Sequence, residues 1–276
     1  MGHLQKTLHT VIVPTASRYS WDELFQAREL LYAFVLRSWK VRYKQTVIGA
    51  AWAIIQPVAL MVVFSVFFGL LMRVPSGDLP YPVFVYCGLL VWQFFAKALA
   101  DTSNSVVSNS AIVTKIYFPR LLLPVSAAVA ALPELLFSFV ALAGLMLYYQ
   151  IVPGWEMLLV PLFVAVALVV AFGVGAMLGA VYVLYRDIAQ LLPFLTQLWM
   201  FMTPIIYPAS LVPEAFRWLY QLNPMVLVVE GARWAFAGSP PPNQTTVILG
   251  LAMSVVFLYI GIRIFQNLEP YFSETI

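Results

Sequence analysis

At 276 residues, 62% of them hydrophobic and only 10% charged, with a mean hydropathy of +0.89, the chain carries more apolar surface than a soluble domain of its size needs. Its net charge of +3 is small and the cations gather at the edges of apolar runs, which argues against a nucleic-acid partner. A single cysteine, Cys87, excludes an intrachain disulfide or a cysteine-cluster metal site, and it reads as a small apolar filler within a span.

In chain order, residues 1–19 are polar and without a period, and read as a cytoplasmic tail. Ser20-Trp21-Asp22-Glu23 is an S-x-x-E capping box and predicts a helix start. Over 20–46, Leu24, Ala27, Leu31, Phe34, Val35 and Val41 recur at helical spacing, with Arg28, Arg37, Lys40 and Lys44 mostly on other faces. This predicts an amphipathic helix along the membrane surface, or one packed on its own protein. Arg37, Lys40, Arg42 and Lys44 fall within eight residues, and no charge follows Ile48 before Arg73. Cations are retained on the cytoplasmic side, so this junction orients the first span with the N-terminus inside. It comes too late and runs too long for a cleavable signal peptide.

Residues 47–276 read as one transmembrane domain with spans at about 48–71, 83–99, 121–149, 157–185, 188–207 and 247–265. The first has 24 residues, about 36 Å as a helix. Pro124 and Pro133 interrupt the third, and Gly175-x-x-x-Gly179 in the fourth allows close helix approach. Residues 208–238 are apolar but broken by Pro208, Pro213 and Asn223-Pro224, so pieces near 214–221 and 225–236 predict an outer re-entrant hairpin. The Asn243-Gln-Thr245 sequon is taken as chance. With both termini inside, eleven of the fifteen Lys and Arg are cytoplasmic, Lys97 lies within span two, and only Arg73, Arg217 and Arg233 fall outside.

The search for chemistry excludes more than it finds. No phosphate loop occurs and no Gly-Lys pair exists, so the chain cannot hydrolyse ATP through a P-loop. His3 and His9 lie in the tail, leaving no histidine for a catalytic triad or a metal cluster. Glu134 is the one carboxylate deep in a predicted span; it is either functional or neutral and hydrogen-bonded within the bundle. Arg186-Asp187 reads as a structural ion pair.

Several short pieces carry a resemblance. Arg42-Tyr43-Lys44-Gln45-Thr46 is followed by Gly49, Trp52 and Gln56-Pro57; then come Tyr81-Pro82 with Phe84, Gly88 and Trp92, and Lys115 with Phe118-Pro119-Arg120. Arg186-Asp187, Tyr207-Pro208, and Asn223-Pro224 with Arg233 complete the series. Their order and spacing over residues 20–265 resemble the membrane subunit of bacterial ABC-2 type polysaccharide exporters. The acid that the family often carries after the arginine is replaced here by Ser38.

The resemblance implies a homodimer of six-span subunits in the bacterial inner membrane, exporting lipid-linked O-antigen or a similar glycan. Two separate ATPase subunits would bind ATP and Mg, leaving no cofactor in this chain. By analogy, the helix from Ser20 would gate beside the lipid headgroup, with Arg37, Lys40, Arg42, Tyr43 and Lys44 at headgroup level. The 2/3 loop would couple to the ATPase, or be a mere connector. About twenty residues separate Leu99 from Leu121; Ser and Asn over 101–109 predict turns, and the apolar 111–118 predicts a docking helix. Ile112, Val113, Lys115, Ile116, Tyr117, Phe118 and Arg120 are the coupling candidates. Among 42 aromatic residues, Trp52, Phe64, Phe68, Trp92, Phe95 and Trp199 are candidates to line a glycan channel, because ring faces stack on sugars without gripping them; the alternative is that they fill the bundle. A drug or small-lipid ABC-2 exporter, an ion-coupled transporter and a membrane-embedded glycosyl or acyl transferase are the competing readings, the last lacking paired carboxylates or a histidine at the membrane edge.

Overall fold

The computed structural model describes residues 27–43, 51–115 and 118–272, and every regular element among them is helical. Five helices there are long and apolar enough to cross a membrane. The capping box at Ser20 lies outside the described residues. Helix α1, Arg28–Tyr43, is the part of the predicted amphipathic segment that is described. Helix α2, Trp52–Phe64, continues as a π-helix, Ser65–Leu71, to make the first apolar rod.

Helix α3, Tyr81–Ser108, is the most enclosed of the long helices and continues as helix past Leu99, where span two is predicted to end. Its polar tail bonds to its own backbone instead of forming turns. Ser103 Oγ donates to the Leu99 carbonyl at 2.8 Å, Asn104 Nδ2 to Ala100 at 3.1 Å and Ser108 Oγ to Asn104 at 2.8 Å. Such bonding to the preceding turn lets Ser and Asn stay inside a helix. The connection that follows is therefore shorter than predicted, and its described part holds only α4, Ser110–Val113.

The third span is in two pieces, α5 (Leu122–Val129) and α6 (Leu132–Tyr148), with the break ahead of Pro133. Proline has no N–H to give, the Glu134 amide turns to Ala131 at 3.2 Å, and the Ala130 carbonyl accepts instead from Trp39 Nε1 at 2.9 Å. Helix α1 is thus fastened at the joint of the third span.

A short 3₁₀ turn, Trp155–Leu159, leads into α7, Val160–Leu184. Gly175 and Gly179 lie against Leu99, Thr102 and Ser103 of α3, as the small-residue spacing predicts. Gly173 lies against Phe257 and Leu258 of α11, Gln244–Leu268. Asn243 of the sequon caps α11 by accepting from the Thr246 amide at 2.7 Å.

Helix α8, Ile188–Phe201, stops short of the predicted Tyr207. Its 14 residues rise about 21 Å, less than the apolar core of a bilayer. Residues 203–206 continue as irregular backbone and are buried within the protein. The predicted hairpin pieces appear as α9, Glu214–Gln221, and α10, Pro224–Ala237, turning at Asn223-Pro224. Helix α10 is buried against α3 and α7, whereas no residue of α9 is buried.

The buried residues form two cores. The larger joins α2, α3, α6, α7, α8 and α10. The smaller, at the α1 end, gathers Phe34, Phe118, Leu121, Phe265 and Phe272.

Candidate functional site

Helix α3 is closed on all sides through its first half, and from Gln93 onward it opens along a single stripe. Gln93, Ala96, Lys97, Ala100, Asp101, Asn104 and Ser108 recur every three or four residues and alternate with buried neighbours. Along this stripe runs an open groove of about 540 Å³, walled by Gln56 and Leu60 of α2, Gln93 and Asn104 of α3, and Leu192, Thr196 and Gln197 of α8. A second cavity of about 260 Å³ shares Gln56 and Gln93 and adds Lys97, Glu134 and Ser138. A third, of about 370 Å³, shares Lys97 and extends beneath α1 to Arg37, Ser38, Asp101 and Asn109. Polar lining inside apolar helices thus continues from the bundle's middle to its α1 end.

Lys97 Nζ and Asp101 Oδ1 are 3.0 Å apart, one helical turn removed, so each charge has a counter-ion. Glu134 stands in the first turn of α6, where the helix dipole favours a carboxylate, and faces the same cavity as Lys97. Among the described residues no group of three or more His, Cys, Asp and Glu is placed to hold a metal ion.

The predicted channel rings divide into two sets. Phe95 is 0% exposed and Trp92 2%. Their rings meet at a tilt with centroids 5.2 Å apart, and Phe95 meets Trp199 edge-on at 5.0 Å. Trp199 also donates Nε1 to Asn223 Oδ1 at 2.9 Å. These rings brace the groove wall from behind, and Trp92 alone of the three contributes to its lining. Phe64 and Phe68 pack edge-to-face at 5.9 Å and are half-buried, while Trp52 is exposed. The groove's own surface is richer in amides than rings. Gln56, Gln197 and Thr196 were missed as site residues from the sequence, where the available signal was an uncharged polar residue inside an apolar run.

At the α1 end, Arg37 Nη1 donates to Asn109 Oδ1 at 3.3 Å, and Lys40 is exposed. The side chains of Arg42 and Tyr43, and all of Lys44, lie outside the described residues. Of the coupling candidates, Val113 and Phe118 are buried in the smaller core, Phe118 with its ring 5.6 Å from Phe34. Arg120 Nη1 donates to the Glu269 carbonyl at 2.8 Å. Ile112 is half-buried, Lys115 is exposed, and Ile116 and Tyr117 lie outside the described residues.

The other end is tied by scattered residues that converge. Arg233 of α10 is buried; its Nε donates to the Phe84 carbonyl at 3.0 Å and its Nη2 to Ile205 at 2.7 Å. Its guanidinium also lies over the Phe84 ring at 3.6 Å. Tyr81 donates its hydroxyl to the Ile206 carbonyl at 2.6 Å. Asn223 accepts from the Met225 amide at 3.0 Å to cap α10 and donates Nδ2 to the Met202 carbonyl at 3.2 Å. The last carbonyls of α8 are met locally, Leu198 by the Met202 amide, Trp199 by Thr203 Oγ1, Met200 by the Thr203 amide and Phe201 by the Tyr207 hydroxyl. Arg233, Tyr81 and Asn223 instead hold carbonyls of the irregular segment that follows.

The ABC-2 type transporter family model matches residues 29–237. The O-antigen export system permease protein RfbA of Myxococcus xanthus is 30% identical, over 92% of this chain and 98% of its own. The protein of the same name from Klebsiella pneumoniae is 26% identical over 93% and 97%, and the polysialic acid transport protein KpsM of Escherichia coli 24% over 86% and 92%. A matched span that takes in α1, the groove and the hairpin, together with a relative of near-equal length, places this multi-pass membrane protein: the chain belongs to the ABC-2 type transporter family.

Proposed function

We propose that the chain is the transmembrane subunit of an ATP-driven exporter that moves lipid-linked polysaccharide across the bacterial inner membrane. The observation that carries this reading is the groove along α3, where Gln56, Gln93, Asn104, Thr196 and Gln197 interrupt an otherwise apolar lining inside helices that suit lipid. The relatives named for O-antigen export and polysialic acid transport support the cargo class. The chain is a transport subunit and not a catalytic enzyme.

In this reading α8 completes a sixth span with the buried irregular segment after it, such backbone being tolerated at membrane depth where protein encloses it. Both termini are cytoplasmic, α1 lies at the inner interface, and α9 with α10 forms the outer re-entrant hairpin. Two copies assemble through the open faces of α2 and α8, whose outward side chains are largely apolar. Trp52, Phe64 and Phe68 are the rings nearest a glycan path, with Trp92, Phe95 and Trp199 bracing it. Arg37, Lys40, Arg42, Tyr43 and Lys44 meet the charged headgroup of the lipid carrier, since basic residues at the inner surface attract anionic groups.

Energy comes from two separate ATPase subunits, which hold the ATP and Mg. The purified chain is therefore expected to show no ATP turnover, with activity appearing only when the partner is added. With that partner it is expected to restore surface polysaccharide to a strain lacking its exporter. Turnover by the chain alone, or no glycan from the assembled pair, refutes the assignment.

Coupling is proposed at the segment after α4. With Val113, Phe118 and Arg120 engaged inside the protomer, the half-buried Ile112, the outward Lys115 and its neighbours Ile116 and Tyr117 are the residues left to meet the ATPase. Tyr117→Asp or Ile116→Asp should release the ATPase or leave it hydrolysing without export, while the membrane dimer still assembles. Crosslinks from cysteines at 115–117 reaching the ATPase no better than those from Arg186→Cys would locate coupling elsewhere.

A further inference from the structure

Three side chains of the groove stand apart from the rest of its lining. The shorter polar side chains there are already engaged with backbone: Thr196 Oγ1 donates to the Leu192 carbonyl at 2.7 Å, Asn104 Nδ2 to Ala100 at 3.1 Å and Ser103 Oγ to Leu99 at 2.8 Å. Gln56, Gln93 and Gln197 come from three different helices, α2, α3 and α8, and border the same opening. Among the described residues none of the three amides bonds to protein. Each is set in an apolar stretch, Ala-Ile-Ile-Gln-Pro, Val-Trp-Gln-Phe-Phe and Leu-Thr-Gln-Leu-Trp. An amide carries two donors and two acceptor sites, and leaving them unmet at membrane depth is costly enough that polar residues there turn to a partner or a cavity.

We infer that Gln56, Gln93 and Gln197 form a hydrogen-bonding subsite for uncharged, hydroxyl-rich sugar units in transit. The inference rests on the exporter reading and adds the class of glycan and the contact residues. Sugar hydroxyls both donate and accept, as amides do, so either partner can turn to suit the next sugar. Single neutral hydrogen bonds contribute little net against water, so such a track guides a chain without arresting it. Charge separates this from the alternatives. The groove is lined by no Lys, Arg, Asp or Glu, and the neighbouring Lys97 has Asp101 at 3.0 Å. A uronic, sialic or phosphate-bearing backbone would find no counter-ion there, whereas a neutral chain needs none.

The test uses the full complex in its host, with the host's own lipid-linked polysaccharide as the export readout. Gln93→Leu and Gln197→Leu, helix-favouring changes of similar size, should each lower surface glycan about fivefold. The pair should lower it by roughly tenfold or more, with complex yield and ATPase activity unchanged. Because Cys87 is buried, Gln93→Cys and Gln197→Cys also report access through a water-soluble methanethiosulfonate reagent. Labelling should be slow while glycan is being made and fast when its synthesis is blocked. Sugar analysis of the exported main chain should find neutral residues only. Unchanged export by the leucine variants, labelling indifferent to glycan synthesis, or an anionic main chain overturns the inference while leaving the exporter reading standing. Failure of the unvaried complex to display any glycan overturns both.

Discussion

Arg233→Met should unfold the hairpin end of the protein before anything else gives way. The guanidinium serves two backbone carbonyls on different elements, Phe84 of α3 and Ile205 beyond α8, and it is 4% exposed. Removing it strands the Ile205 carbonyl where neither water nor another donor reaches it, at about 1–3 kcal/mol, besides the lost charged hydrogen bonds; the Phe84 carbonyl keeps its partner within α3. A total of about 2–4 kcal/mol is expected. In a chain of this size that lowers the unfolding midpoint in detergent by roughly 10 °C. Arg233→Lys should restore little, since a single ammonium lacks the fork that reaches both carbonyls and the plane that rests on Phe84. A midpoint within 2 °C or so of the unvaried protein would show that the guanidinium holds nothing together.

The second large effect is expected at Gly261→Leu. A Cβ at Gly261 would fall on the carbonyl of Gly173, and one at Gly173 would lie 2.6 Å from the Phe257 carbonyl. What each would meet is backbone, which cannot swing aside as a side chain does. Overpacking costs about 1–3 kcal/mol where side chains can adjust, so the upper end or beyond applies, and little intact protein should be recovered from membranes. Gly144→Ala is the internal control. Nothing lies within 4 Å of a Cβ there, so it should be neutral or slightly stabilising, helices preferring alanine by up to about 1 kcal/mol. Equal recovery of Gly261→Leu and Gly144→Ala would mean that α7 and α11 do not meet backbone to backbone.

Much of the framework was legible because hydropathy and helix punctuation act locally. The two short helices predicted after span five emerge at 214–221 and 224–237 on either side of Asn223, and Pro133 marks the joint of the third apolar rod. The errors fall where long-range bonds overrule local preference. Ser103, Asn104 and Ser108 read as turn formers, yet their side chains bond to the helix they would have ended. The apolar run from Ile188 to Tyr207 reads as one helix, yet it stops at Phe201, and Arg233, Tyr81 and Asn223 hold the carbonyls of Ile205, Ile206 and Met202 in the irregular segment after it. At the groove, aromatic content could not say which rings face the opening. Phe95 and Trp199 look alike in the sequence to any exposed ring, and only packing turns them inward.

The ties of the hairpin have an implication for how this part of the chain can change over time. Arg233, Tyr81 and Asn223 hold Phe84, Ile205, Ile206 and Met202 by their carbonyls, which every amino acid supplies. The grasping side chains must be kept while Met202, Ile205 and Ile206 need only fit their space, so these positions can drift in identity, unlike Thr203 and Tyr207 of the same segment, which bond through their own side chains. This end of the protein can therefore vary at Met202, Ile205 and Ile206 without first rebuilding what holds it in place.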